Sequence, residues 1–212
     1  SKAENLEEGY IRHKLEIRKV RAYIRNVSPK GEFEYLFLEY FDQMEAWADA
    51  ALKSLKASGY KQLYQQSIDA GYMVHGEYNY HNILFDTTSG KDNYGHRKLN
   101  VYTMNFDHFK KNVQVEDLYY FLRKAMEKQG FKEWISDGIL NAYSAIIPLG
   151  KNELEYLKNR LMYPEKFFKV ANSYYHSNKA WISIKNVEKM QMAVRQMNEK
   201  EHFLNHFFDA RI

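Results

Sequence analysis

Residues that interrupt helices are scarce in this sequence, and that scarcity constrains the fold more than any other feature. The chain of 212 residues contains only 3 prolines and 10 glycines, while Phe, Trp and Tyr together make up 16% of it. Proline and glycine are the residues that helices tolerate least, and aromatic rings bury large apolar areas. We therefore predict a mainly helical fold around an aromatic-rich core, organised as a single domain over residues 1–212.

Composition excludes several classes of protein. Apolar residues make up 45% of the chain and charged residues 27%, which is typical of a folded globular protein. The absence of cysteine excludes disulfides and thiolate metal sites. The net charge of +4 is small and dispersed, so we expect no nucleic-acid partner. No uncharged apolar run reaches the roughly 18 residues that a membrane span needs, so we expect no membrane partner.

Apolar residues recur at helical spacing through most of the chain. The first predicted helix ends at a break over residues 28–31. Further helices are predicted over 32–57, 61–68, 118–129, 133–146 and 186–208, and two more are predicted to start at 151 and at 164. We interpret the apolar stripe of the last helix as a core face rather than a partner-binding surface.

Residues that favour strands are confined to the middle of the chain. Short runs of them occupy 72–75, 83–85 and 99–104, and the segment 86–95 is dense in turn-forming residues. This pattern predicts a β-hairpin with a long loop. In an otherwise helical chain, such an insert is the first place to look for chemistry.

Polar residues with a distinctive spacing flank the first strand of this hairpin. His75 opens the segment, Glu77 and Asn82 follow, and the second β-run leads into Asn105 and Asp107. This order resembles the catalytic loop of protein-kinase-like phosphotransferases, in the H-G-D-x-x-x-x-N form of aminoglycoside phosphotransferases and choline kinases. The resemblance implies the C-terminal lobe of that fold, mainly α with a small β-hairpin.

The same resemblance implies a role for each residue. Glu77 would accept the proton of a substrate hydroxyl, His75 would support the loop, and Asp117 would brace it from the start of the next helix. The phosphoryl donor would be ATP, bound with Mg²⁺. The implied Mg²⁺ ligands are Asn82, Asn105 and Asp107.

Three departures separate the sequence from an ordinary member of that fold. Glu77 stands where aspartate is expected, which displaces the carboxylate by about 1 Å, and displacements of that order reduce rates by ~10²-fold. Asn105 stands where a metal-binding aspartate is expected, and an amide oxygen brings no charge to Mg²⁺. No Gly-rich loop or V-A-I-K-like strand occurs in the 74 residues before His75. We therefore expect the nucleotide-clamping N-terminal lobe to be absent from this chain.

A closer resemblance covers almost the whole chain. The runs 75–82, 113–124, 163–172 and 178–182 are similar to the CotS family of spore coat proteins, relatives of the aminoglycoside phosphotransferases. The resemblance implies a location in the spore coat of an endospore-forming bacterium, synthesis in the mother-cell cytoplasm, and other spore coat proteins as partners. It implies a structural or pseudoenzymatic protein. The alternative is an active ATP-dependent small-molecule phosphotransferase when the chain is joined to an N-terminal lobe.

Two further features have simpler interpretations than chemistry. His202 and His206 lie four residues apart on a predicted helix, but no third metal ligand accompanies them, so we interpret them as surface histidines. The abundant tyrosines, such as Tyr174 and Tyr175, suit carbohydrate stacking or oxidative cross-linking. We interpret them instead as packing residues whose hydroxyl groups form hydrogen bonds.

Overall fold

The helices predicted from the apolar spacing form most of the protein. The computed structural model describes residues 1–86, 90, 95, 99–177 and 184–212. The helices in these ranges are α1 (Leu6–Asn26), α2 (Glu32–Ala57), α3 (Tyr60–Asp69), α4 (Val115–Gln129), α5 (Glu133–Ser144), α6 (Lys151–Met162), α7 (Glu165–Tyr175), α8 (Ile184–Arg195) and α9 (Met197–Phe203). None of the described helices combines the length and apolar character needed to cross a lipid bilayer.

Helix α2 forms the centre of the packing. Its residues Phe37, Phe41, Ala51 and Leu55 are fully buried. Together with the buried Met44 and Ala48 they recur at intervals of three and four, so they form a single stripe on the helix. This stripe packs against α1, α6 and α8, and Phe37 stacks on Phe167 of α7 with ring centroids 5.4 Å apart. The predicted aromatic core is therefore present.

The C-terminal part of the chain differs from the single helix predicted over 186–208. Helix α8 ends at Arg195, α9 starts at Met197, and a π-helical turn follows over Leu204–Phe208. The break falls at Gln196, whose side-chain amide donates a hydrogen bond to the carbonyl of Glu127 at the end of α4. Met190, Met197, Phe203, Leu204 and Phe208 are buried, so the stripe does face the core.

Two small antiparallel sheets lie between α3 and α4. Strands β2 (Ile83–Asp86) and β3 (Asn100–Thr103) form the predicted hairpin, with Ile83 opposite Thr103 and Asp86 opposite Asn100. Most of its predicted loop at 86–95 lies outside the described residues, as does the run 178–182. The predicted fold class, mainly α with a small β-hairpin, is confirmed.

The second sheet was only half predicted. Strand β1 (Met73–Val74) lies within the predicted β-run 72–75, and it pairs with β4 (Lys110–Lys111), for which the sequence gives no alternating pattern. Ala3 and Ser1 also exchange backbone hydrogen bonds with Lys111, of 2.8 and 2.9 Å. The segment 75–82 therefore runs from the end of one sheet to the start of the other.

Candidate catalytic loop

The loop begins with a glycine that no other residue can replace without strain. Gly76 has φ +86°, and a Cβ atom there would lie 2.4 Å from the backbone oxygen of His108. Such a position requires glycine both for its backbone angle and for the close approach. The loop is therefore held tightly against the turn that follows the hairpin.

Asp117, in the first turn of α4, holds the same point from the other side. Its Oδ2 accepts a hydrogen bond from the backbone N–H of His75 at 2.7 Å, and its Oδ1 accepts one from Gly76 at 3.0 Å. Burial raises the pKa of Asp117, because the loss of solvent outweighs the two backbone hydrogen bonds. One carboxylate thus fixes two consecutive peptide groups of the loop.

His75 connects the loop to the segment that follows β3. Its Nε2 lies 2.8 Å from the backbone oxygen of Met104, and its Nδ1 lies 3.2 Å from the backbone nitrogen of Glu77. The carbonyl can only accept, so Nε2 carries the proton and Nδ1 accepts from Glu77. The side chain is buried, with its ring centroid 4.7 Å from that of Phe106.

Two asparagines hold the main chain of Glu77. The amide groups of Asn79 and Asn82 both donate to the backbone oxygen of Glu77, each at 2.9 Å. The carboxylate of Glu77 is free of this network: its side chain is 51% exposed and lies 4.0 Å from Nε2 of His108. The loop therefore presents the carboxylate to solvent on a fixed backbone.

The structure brings Asn82 and Asn105 into contact, and their side-chain amides form a hydrogen bond with each other. Asn105 has the left-handed backbone angles φ 64° and ψ 58°, which asparagine tolerates better than most residues. Its Nδ2 donates to Oδ1 of Asn82 at 2.9 Å. The amide oxygen of Asn82 that faces Asn105 is therefore occupied by a hydrogen bond.

The remaining implied ligand is not joined to this pair. Asp107 is exposed on the 3-10 turn Phe106–His108, and within the described residues it forms no hydrogen bond with Asn82 or Asn105. The described part of the chain contains no group of three or more His, Asp or Glu arranged to hold a metal ion. His202 and His206 stack on each other with centroids 4.0 Å apart and lie exposed on the surface.

A loop of this form, braced by an aspartate and followed by a β-hairpin, can be compared with known proteins. The family model described as "Spore coat putative kinase YutH" matches residues 14–207. The chain belongs to this family. YutH proteins are kinase-like spore coat proteins of the CotS type, so the resemblance seen in the sequence is confirmed.

A solved structure shows the same fold as this YutH family member. It is an aminoglycoside phosphotransferase from Alicyclobacillus acidocaldarius, 14% identical, with a TM-score of 0.82. The match covers 98% of this chain and 59% of that one, so the chain spans about three fifths of the phosphotransferase. No curated protein matches the chain. At this identity the likeness establishes the kinase-like fold and nothing about activity.

Sequence reasoning missed the buried ionic network behind the loop. Glu116, adjacent to Asp117, receives two hydrogen bonds from the Arg160 guanidinium, of 2.7 and 3.1 Å. Both Glu116 and Arg160 are nearly fully buried, and Glu165 lies 3.5 Å from Arg160. Charged residues in helices usually face solvent, so the sequence gives little sign that Glu116 and Arg160 are buried. The one hint is the position of Glu116 directly before Asp117. The network anchors the first turn of α4, from which Asp117 reaches the loop.

Proposed function

We propose that this YutH family member is a spore coat protein whose kinase-like catalytic loop is retained as folded structure and does not carry out metal-dependent phosphoryl transfer by itself. Its proposed location is the spore coat, after synthesis in the mother-cell cytoplasm, and its proposed partners are other spore coat proteins. The family description supports the location. The observation that carries the catalytic part is the hydrogen bond from Asn105 to Asn82.

This hydrogen bond replaces the arrangement that a metal ion requires. Mg²⁺ prefers anionic oxygen ligands in octahedral geometry, and neither amide supplies a negative charge. A cation at Oδ1 of Asn82 has to share that oxygen with the side-chain N–H of Asn105, whose hydrogen bond is worth about 1 kcal/mol. An aspartate at position 105 has no N–H to donate, so it would place two oxygens side by side and favour a cation between them.

The position of Glu77 supports the same proposal. Its backbone is fixed by Asn79 and Asn82, so the extra methylene cannot be absorbed by a shift of the main chain. Its carboxylate is half-exposed, and Nε2 of His108 lies 4.0 Å from it. A general base displaced by about 1 Å from an in-line acceptor loses much of its effect.

A second candidate function is an ATP-dependent small-molecule phosphotransferase, active with Mg²⁺ once the chain is joined to an N-terminal lobe. It is favoured by the intact spacing of Glu77 and Asn82 and by the brace from Asp117. In this proposal the chain is the C-terminal lobe, and the second lobe covers the hairpin. Leu84, Phe85, Val101 and Tyr102 support it, since all four are more than half exposed.

A Mn²⁺ titration followed by water-proton relaxation tests the degenerate site. We compare the natural chain with the double variant Glu77→Asp/Asn105→Asp. The first substitution keeps the carboxylate at position 77, and the second adds one carboxylate at the implied metal position. Asn26→Asp, on the exposed end of α1, is the matched control for added negative charge. We expect at least tenfold tighter Mn²⁺ binding in the double variant only.

Other outcomes of this titration separate the two candidate functions. If the natural chain binds Mn²⁺ as tightly as the double variant, the degenerate-site proposal is wrong and the phosphotransferase is favoured. If neither protein binds Mn²⁺ unless ATP is added, the phosphates of the nucleotide, rather than the two substitutions, dominate the metal affinity.

A further inference from the structure

A small cavity lies away from the catalytic loop, where α2, α4, α7 and α9 meet. Its volume is about 40 Å³. Five charged side chains line it, and we call it the Lys200 cavity: Arg123, Glu127, Glu165, Lys166 and Lys200. A single water needs about 10–15 Å³ of such cavity volume, so there is room for about two or three heavy atoms.

Arg123 contributes a buried donor without a partner. The residue is only 7% exposed, and its terminal nitrogens pair with Glu127 at 3.2 Å and with Glu165 at 3.5 Å. Its Nε forms no hydrogen bond with any part of the chain that the structure describes. Buried donors are almost always satisfied, and a charged one that is left unpaired is strongly unfavourable.

Lys200 contributes an ammonium group without a carboxylate. Its Nζ donates to the backbone oxygen of Tyr163 at 3.3 Å and lies 5.7 Å from the centre of the Trp47 ring. Within the described residues, Lys200 lies within ion-pair distance of no carboxylate. Burial lowers the pKa of Lys200 to about 8. The carboxylate of Glu127 acts to raise this pKa, and the positive charge of Arg123 acts to lower it.

The two carboxylates in the cavity are already committed. Glu127 lies within ion-pair distance of Arg123 and Lys166, the latter at 3.9 Å. Glu165 accepts a hydrogen bond from Tyr119 at 2.6 Å and pairs with Arg123, and it also pairs with Arg160 and Lys169 outside the cavity. The cavity therefore holds three cations against two carboxylates, and it lacks one negative charge.

We propose that the Lys200 cavity binds one small oxyanion of the carboxylate class, held by the Nε–H of Arg123 and the ammonium groups of Lys166 and Lys200. A planar carboxylate matches a guanidinium N–H and an ammonium group at the same time. Its charge satisfies the unpartnered donor and balances the surplus cation. Because the three cations lie on α4, α7 and α9, the bound anion fastens the C-terminal helix to the rest of the lobe.

Thermal unfolding of the whole chain in sodium formate tests this proposal, with sodium pivalate at equal concentration as the comparison. Formate fits the cavity, whereas the tert-butyl group of pivalate does not. We expect a saturable rise in melting temperature with formate, about 3–6 °C at ten times Kd, and none with pivalate. Lys200→Met should abolish the rise, and Lys53→Met, at an exposed position of α2, should keep it.

Equal effects of the two salts, or an undiminished rise in Lys200→Met, would overturn the proposal. A second measurement uses the natural chain, so it does not depend on the folding of a variant. In lysine-labelled protein, NMR follows the titration of the Lys200 amine, which faces Arg123, Glu127, Glu165 and Lys166. Formate should move its midpoint above about 8, because a bound anion favours the ammonium form. An unchanged midpoint at saturating formate contradicts the site.

Discussion

Replacing Asp117 by alanine removes the acceptor of two backbone N–H groups at the start of the catalytic loop. Both donors are buried, since His75 is 5% exposed and Gly76 is also buried. Each buried donor left unpaired costs about 1–3 kcal/mol. The unfavourable desolvation of the carboxylate, visible in its raised pKa, is removed at the same time and offsets part of this loss.

The net loss is therefore about 2–3 kcal/mol, which lowers the melting temperature of a chain of this size by about 5–10 °C. Circular dichroism melts at pH 7 measure it. The control is Glu77→Ala on the same loop, whose side chain is 51% exposed, so we expect a change within about 0.5 kcal/mol. Equally small shifts in the two variants would refute the brace.

The pH dependence gives the same prediction an independent check. The pKa of Asp117 is raised in the folded state. The stability linked to this group is therefore fully present below its unfolded pKa and is lost as pH rises through the folded pKa. The side chain of Asp117→Asn does not ionise, so the variant does not lose stability in this way. The stability of the natural chain relative to Asp117→Asn should fall as pH rises through the mildly acidic range, and a constant difference would contradict the assignment.

Two further substitutions test the neighbourhood of the loop. Gly76→Ala should destabilise the protein by about 3 kcal/mol or more in denaturant titrations, because its Cβ meets the His108 backbone, whereas Gly130→Ala, with similar φ and open space, should lose only about 1 kcal/mol; similar losses would contradict the close approach. Glu165→Gln should lose about 3–5 kcal/mol at pH 7. Burial opposes ionisation of Glu165, but Arg123 and other cations hold its pKa well below 4.5. The stability contributed by ionised Glu165 is present above about 4.5 and is lost as pH falls through its lowered pKa. The melting temperatures of the two proteins should therefore converge in acid.

The sequence predicted most of the fold because local signals and packing agree there. Helix α2 begins and ends where its apolar stripe and the Ser58-Gly59 signal place it. Strand β4 was not predictable, because Lys110-Lys111 forms a strand through its pairing with distant segments and not through a local pattern. The end of α8 was missed for a similar reason, since the bond from Gln196 to Glu127 joins residues 69 positions apart.

The sequence predicted that Asn82 and Asn105 lie near each other, but not the geometry of their contact. The motif spacing and the hairpin register explain why Asn82 and Asn105 lie together. The direction of their hydrogen bond depends on the left-handed backbone of Asn105, which the sequence does not specify. The pairing of Glu116 with Arg160 across 44 positions is likewise a product of tertiary packing.

Calorimetric titration of ATP–Mg²⁺ into the natural chain tests the central claim most directly. Asn105 places a neutral amide at the implied metal position, Oδ1 of Asn82 accepts its hydrogen bond, and the apolar side chains of the described hairpin are exposed. We predict a dissociation constant weaker than roughly 1 mM, which corresponds to less than about 4 kcal/mol of binding free energy. A dissociation constant in the micromolar range would contradict the claim that the loop has lost its metal-dependent chemistry.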